Sequence, residues 1–112
     1  MTTVRLDDVE PIELPNGSWS RMVAKGEASS LGYSVFTPGT VLAPVKHETE
    51  EVAYVVAGSG ELRLDGDAVQ FQEGDAVHIP ADTWHAVAAT GETDVIMVFG
   101  FPHPEYPPTE RR

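Results

Sequence analysis

The chain contains no cysteine in its 112 residues. This excludes a disulfide framework, a thiolate zinc site and a cysteine nucleophile, so any metal ion has to be held by His, Asp or Glu. Basic residues are scarce as well: seven Lys and Arg stand against eighteen Asp and Glu, a net charge of −11. A field of that sign repels phosphate backbones and anionic lipid headgroups, which makes nucleic acid and membrane surfaces poor partners. Long apolar runs are missing. Residues Met1–Glu10 lack the apolar stretch of a signal peptide, and no later run approaches the roughly 20 residues that span a bilayer. We expect a cytoplasmic protein. No segment repeats its apolar residues at the 3.6-residue period for long enough to define a helix.

What remains suffices for one core. Apolar residues make up 41% of the chain and charged ones 22%, the composition of a globular domain, and the length accommodates a single one spanning residues 1–112. Turn signals recur at Gly58-Ser59-Gly60, Asp65-Gly66-Asp67, Glu73-Gly74-Asp75, Pro80-Ala81-Asp82 and Thr90-Gly91-Glu92. Short antiparallel strands of a sandwich or barrel produce such spacing. The intervening segments predict strands over Glu51–Ala57, Glu61–Asp65, Ala68–Phe71, Asp75–Ile79, Trp84–Ala89 and Asp94–Phe101. Upstream, Trp19–Lys25, Leu31–Thr37 and Val41–His47 have the same character, so the class is all-β. Prolines at both ends, Pro11 to Pro15 and Pro102 to Pro108, suit outer segments or sheet edges, and Thr109–Arg112 reads as a frayed tail.

Of four histidines, His47 and His85 stand beside features that suggest chemistry. His47 opens the segment His47-Glu-Thr-Glu-Glu51, which carries three carboxylates. In an unbroken strand His47 and Glu51 would lie roughly 13 Å apart at ~3.3 Å per residue, too far to share one ion. A bend at Glu48-Thr49-Glu50 would let His47 end one strand, Glu51 begin the next, and both face one cavity. His85 follows the turn after Pro80 and is placed to face inward too. Two imidazoles and a carboxylate form a facial triad that leaves coordination positions open. His78 has the parity opposite to Val77 and Ile79, which leaves solvent, a subunit contact or the pocket open to it, and His103 lies between two prolines, where solvent is the expected surrounding. Tyr33, Met97 and Phe99 are candidates to line a substrate pocket.

The spacing of these residues resembles the two-part signature of the cupin superfamily. The first part runs Gly39, five residues, Val45, one residue, His47, three residues, Glu51, six residues, Gly58; the second runs Gly74, five residues, Pro80, then His85 five positions later. The resemblance implies a cupin-type jelly roll, a conical β-barrel of two antiparallel sheets over about residues 31–101, with an N-terminal arm and a proline-rich C-terminal tail. It also implies a divalent metal, Fe, Mn, Ni, Co or Zn, held in the barrel mouth by His47, Glu51 and His85. Val45 departs from the pattern, which has a histidine ligand there; its parity with His47 places an apolar side chain in the pocket. Asp82 replaces a glycine, tolerable because aspartate visits left-handed backbone more readily than most residues.

Cupins include dioxygenases, isomerases, cyclases, decarboxylases and lyases. The expected function is therefore a metal-dependent oxidoreductase or isomerase/lyase acting on a small aromatic or keto-type substrate. Two alternatives use the same residues: a metal-free acid/base enzyme in which His47, Glu51 and His85 move protons, and a module that binds a small molecule without turnover. Many small cupins pair through an apolar outer face, so a homodimer is expected.

Overall fold

Segments with period-two alternation become strands because each buries one row of side chains against the facing sheet. The computed structural model describes residues 1–112. It contains β1 (Ile12–Glu13), β2 (Trp19–Lys25), β3 (Ser30–Phe36), β4 (Val45–His47), β5 (Glu51–Ala57), β6 (Ser59–Leu64), β7 (Asp67–Gln72), β8 (Ala76–Ile79), β9 (His85–Ala88), β10 (Val95–Phe101) and β11 (Thr109–Arg111). One sheet has the order β1-β2-β3-β10-β5-β8 and the other β11-β4-β9-β6-β7, with every pairing antiparallel. This is the jelly-roll arrangement that the sequence predicts.

Three expectations change. The two sheets do not close into a barrel: β7 and β8 are edges of different sheets. The turn between them sends the chain across the sandwich, where Gly74 N–H donates to Val55 O and Val55 N–H donates to Asp75 O, committing β8 to β5. The residues Thr109–Arg111 are not frayed but form β11 against β4, with Thr109 opposite His47 and Arg111 opposite Val45. Arg112 adds a two-pronged contact to the Asp65 carboxylate and stacks its guanidinium over Trp84 at 4.2 Å. The strand expected over Val41–His47 shortens to β4, because Val41 makes only an isolated bridge to Ala88 and Pro44 lacks a donor.

Inside the sandwich, Phe36, Val55, Leu62, Phe71, Ile79, Val87, Ala89, Val95 and Met97 form the main core. A second cluster, Met22, Phe99 and Phe101 with Ala53 and Tyr106 against it, fills the end of the sandwich where β10 finishes. Gly32 is needed there: a Cβ would fall 2.0 Å from the Phe99 ring, which lies over that glycine on the neighbouring strand. Between the β8 edge and β6–β7, the unclosed seam leaves a cleft of about 350 Å³ lined by residues including Leu64, Phe71, Val77, Ile79 and Thr83.

Candidate metal centre

His47 is the last residue of β4 and Glu51 the first of β5, so the chain bends at Glu48–Glu50 and both residues face the interior. Two backbone bonds hold the bend, Glu48 N–H donating to Pro108 O and Asp82 N–H donating to His47 O. Asp82 has a φ of 57°, the left-handed conformation anticipated for an aspartate at this turn. The turn delivers His85 as the first residue of β9, directly opposite Val45 on one side and Leu64 on the other. Three different strands from both sheets thus meet at one end of the sandwich.

Their ligand atoms converge. His47 Nε2 lies 3.4 Å and His85 Nε2 3.5 Å from Glu51 Oε1, and one ligand atom from each residue lies within 4.8 Å of the other two. His85 is buried and the other two are half-buried. His85 Nδ1 sits 2.8 Å from the Thr83 carbonyl, which can only accept, so neutral His85 keeps its proton on Nδ1 and its lone pair on Nε2. His47 Nδ1 sits 2.7 Å from Thr109 Oγ1. A carboxylate oxygen within 3.5 Å of two imidazole nitrogens, on a buried floor, fits a divalent ion whose bonds to such atoms are about 2.0–2.2 Å.

Burial pushes the Glu51 carboxyl up, but hydrogen bonds and charge from His47 and His85 outweigh it and hold the group below the usual carboxylate range. Burial pushes the His85 imidazole down; Glu51 and the Thr83 carbonyl reverse that and hold it above an ordinary histidine. Glu51 and His85 thus each favour the charged form of the other in a poorly hydrated place.

The walls are apolar and aromatic. Phe101 meets His47 edge-on with centroids 5.0 Å apart, and Phe99 and Tyr106 pack against Phe101 at 5.8 and 6.0 Å. Val45 lies directly opposite His85, and Phe99 packs in the cluster behind Phe101. Met97 lies one inward position deeper, opposite Val55, and packs in the main core rather than at the site. Tyr33 is a correction: the inward row of β3 is Ser30, Gly32, Ser34 and Phe36, so Tyr33 faces outward and stacks on Trp19 at 5.9 Å. His78 is exposed and pairs with Glu50, and His103 Nδ1 turns back onto its own loop at Glu105.

Two residues near the site escape sequence reasoning. Thr109 lies in the segment read as a tail, and Tyr106 lies among prolines. The Tyr106 hydroxyl is hydrogen-bonded to Ser20, which is bonded in turn to Ser34 at 3.0 Å. Burial, together with the negative charge of Glu51, outweighs the Ser20 bond and keeps that phenol above its usual pKa, hence neutral. The spacing of Thr109 from the prolines carries no signal of this role; only the pairing of β11 with β4 reveals it.

The chain belongs to the cupin domain family, Cupin_2, which matches residues 32–101. It is similar to the 5-nitrosalicylic acid 1,2-dioxygenase of Bradyrhizobium sp, at 30% identity over 66 residues, 59% of this chain and 32% of the dioxygenase, so it spans about a third of that relative. It is also similar to the dimethylsulfoniopropionate lyase DddW of Ruegeria pomeroyi, at 28% identity across 94% of this chain and 76% of the lyase. Among solved structures, the polyketide cyclase RemF from Streptomyces resistomycificus superposes with a TM-score of 0.82 at 21% identity, covering 99% of this chain and 84% of the cyclase. That likeness is one of fold. These relatives are enzymes of three different reaction types.

Proposed function

We propose that the chain is a metalloenzyme that holds one divalent ion, Fe, Mn, Ni, Co or Zn, through His47 Nε2, Glu51 and His85 Nε2. Its reaction in this reading is dioxygenase-like or isomerase/cyclase-like on a small aromatic or keto-type substrate. The observation that carries the reading is the convergence of three donor atoms with the proton of His85 tied to a carbonyl, away from the ion's place. A bound ion would supply Lewis acidity and, if iron, oxygen activation. The chain's own residues supply the rest: three donors leave positions open to substrate oxygens, and Phe99, Phe101 and Tyr106 form an aromatic wall that suits a flat, apolar substrate. Val45 adds to that apolar surface where a fourth donor would otherwise stand.

The test is elemental analysis of protein purified without chelator or metal-affinity resin, beside the His85→Ala variant. Near-stoichiometric metal in the first and none in the second is the expected result. Absence of metal from both, even after reconstitution, overturns the reading in favour of acid/base chemistry by the same three residues or of small-molecule binding without turnover.

We also propose that a second copy covers the outer face of the six-stranded sheet. On β5 the inward row is Glu51, Ala53, Val55 and Ala57, whereas the outward row is Val52, Tyr54 and Val56, each more than 40% exposed. Leu31, Tyr33 and Val35 of β3 and Ile96 and Val98 of β10 continue this apolar patch, which is bordered by Arg21, opposite Tyr33 and paired with Asp7, and by His78, opposite Val52 and paired with Glu50. A chain of net charge −11 meets its own copy most cheaply through a patch that keeps its carboxylates at the rim, and sheets pack face to face in this manner. Sedimentation equilibrium should find a dimer, and Tyr54→Glu a monomer; a monomeric wild type refutes the pairing.

A further inference from the structure

We propose that the C-terminal strand is part of the metal centre and that Thr109 is a positioning residue, fixing the His47 tautomer that aims a lone pair at the ion. The consequence for metal binding rests on the function proposed above; the tautomer itself does not.

The protons around Thr109 can be assigned one by one. A threonine hydroxyl owns one proton and accepts others. The Thr109 hydroxyl donates its proton to the Pro107 carbonyl at 2.8 Å, a group that only accepts. With that proton committed, the contact between Thr109 Oγ1 and His47 Nδ1 at 2.7 Å has one polarity: Nδ1–H donates and the hydroxyl oxygen accepts. Neutral His47 therefore carries its lone pair on Nε2, the nitrogen that faces Glu51 at 3.4 Å. His85 reaches the same state through the Thr83 carbonyl, which allows only one polarity. A hydroxyl would serve either tautomer of His47, and it is the Pro107 carbonyl behind it that decides.

The surrounding backbone holds this relay in place. Thr109 is directly opposite His47 in the β11–β4 pairing, and Glu48 N–H donates to Pro108 O. Pro107 is buried. Phe101 packs edge-on against the His47 ring, which restricts its rotation. If the hydroxyl is removed, the best acceptor left to the His47 proton is the Glu51 carboxylate on the Nε2 side, and a proton there occupies the position of the metal bond.

Three variants separate the hydroxyl from the strand. Thr109→Val is nearly isosteric and keeps a β-branched residue in β11; Thr109→Ser keeps the hydroxyl; Arg112→Ala releases the Asp65 contact and the stacking on Trp84 but leaves the relay intact. The first measurement is the tautomer of His47 in ¹⁵N-labelled, metal-free protein at alkaline pH, from long-range ¹H–¹⁵N correlations. Wild type, Thr109→Ser and Arg112→Ala should show the Nδ1–H form, and Thr109→Val a shift to Nε2–H. The second is titration with Co(II), in which Thr109→Val should bind about 10- to 100-fold more weakly than wild type while Thr109→Ser stays close to it. An unchanged tautomer in Thr109→Val, or a Thr109→Ser variant that behaves like the valine, overturns the proposal. A wild type that binds no Co(II) yet shows the Nδ1–H form removes the metal reading and leaves this role of Thr109 standing.

Discussion

Both ends of the sandwich bury polar side chains, and they do so in opposite ways. At the end where Phe36 pairs with Val95, Asn16, Ser18, Thr37 and Thr40 form a closed set of neutral hydrogen bonds, including Ser18 to Thr40 at 2.8 Å and Thr37 to Thr40 at 2.9 Å. Thr40 is 1% exposed and its hydroxyl is satisfied from within. At the end where Ser30 pairs with Phe101, three titratable groups converge with their ligand atoms aimed at one point. Hydroxyls that satisfy one another stabilise a fold; lone pairs that converge and repel one another unless a cation or proton intervenes define a site. Polarity alone does not tell the two apart, whereas the direction of the lone pairs does.

Substitutions at the two ends should therefore fail differently. The largest effect expected is on metal content: His85→Ala should fall from near-stoichiometric to none while keeping a cooperative unfolding transition, read by elemental analysis and circular dichroism. Loss of folding in that variant would make the cluster structural, like the opposite end. Thr40→Val should do the reverse. It leaves Ser18 and Thr37 short of a buried partner at a cost of about 1–3 kcal/mol, visible as a fall in midpoint in urea, with metal content unchanged.

A smaller effect concerns pH, which only the titratable end should feel between mild acid and mild alkali. Glu51 is held below its unfolded pKa, so its contribution in metal-free protein is present above that unfolded value and fades as pH falls through the folded one. His85 is held above its unfolded pKa, so its contribution is complete below that value and fades as pH rises through the folded one. Metal-free stability should peak between the two and decline on the alkaline side. Metal affinity should rise over that same alkaline interval as the ion displaces a proton from imidazole. Urea midpoints and Co(II) titrations across the interval check both trends; parallel movement of the two curves would refute the shared site. The smallest effect expected is a tighter Co(II) constant in Val45→His, because position 45 faces the site directly opposite His85. An unchanged constant would show that side chains at position 45 do not reach the ion.

Much of this was legible in the chain. β2 and β5 fall on the segments predicted for them, since seven-residue alternation between clear turns leaves little freedom. The meeting of His47, Glu51 and His85 was legible through the resemblance to the cupin signature, and the bend between His47 and Glu51 follows once both are required to face inward. β1 and β11 were not, being two and three residues long and owing their existence to partners elsewhere in the chain. Tyr33 faces away from the site for a more instructive reason. Alternation identifies two faces of a strand without saying which is inner, and in β3 the small residues Ser30, Gly32 and Ser34 occupy the inner row to make room for Phe99 and the β2 side chains. Tyr106 escaped because proline-rich sequence announces turns and says nothing about where a ring among them will pack.

The row structure of β5 also limits how this protein can change length. From Glu51 to Ala57 the residues alternate between an inner row, which carries Glu51 and the core, and the apolar patch of the outer face. Inserting or deleting one residue there would exchange the rows, sending the carboxylate outward and Val52 inward and abolishing both surfaces in one event. The boundary beyond is equally fixed, because Gly58 has a φ of 85° and a Cβ on it would lie 2.4 Å from the Asp94 carbonyl oxygen. Length variation in descendants of this chain should collect instead at exposed turns outside these rows and spare the segment from His47 to Gly58.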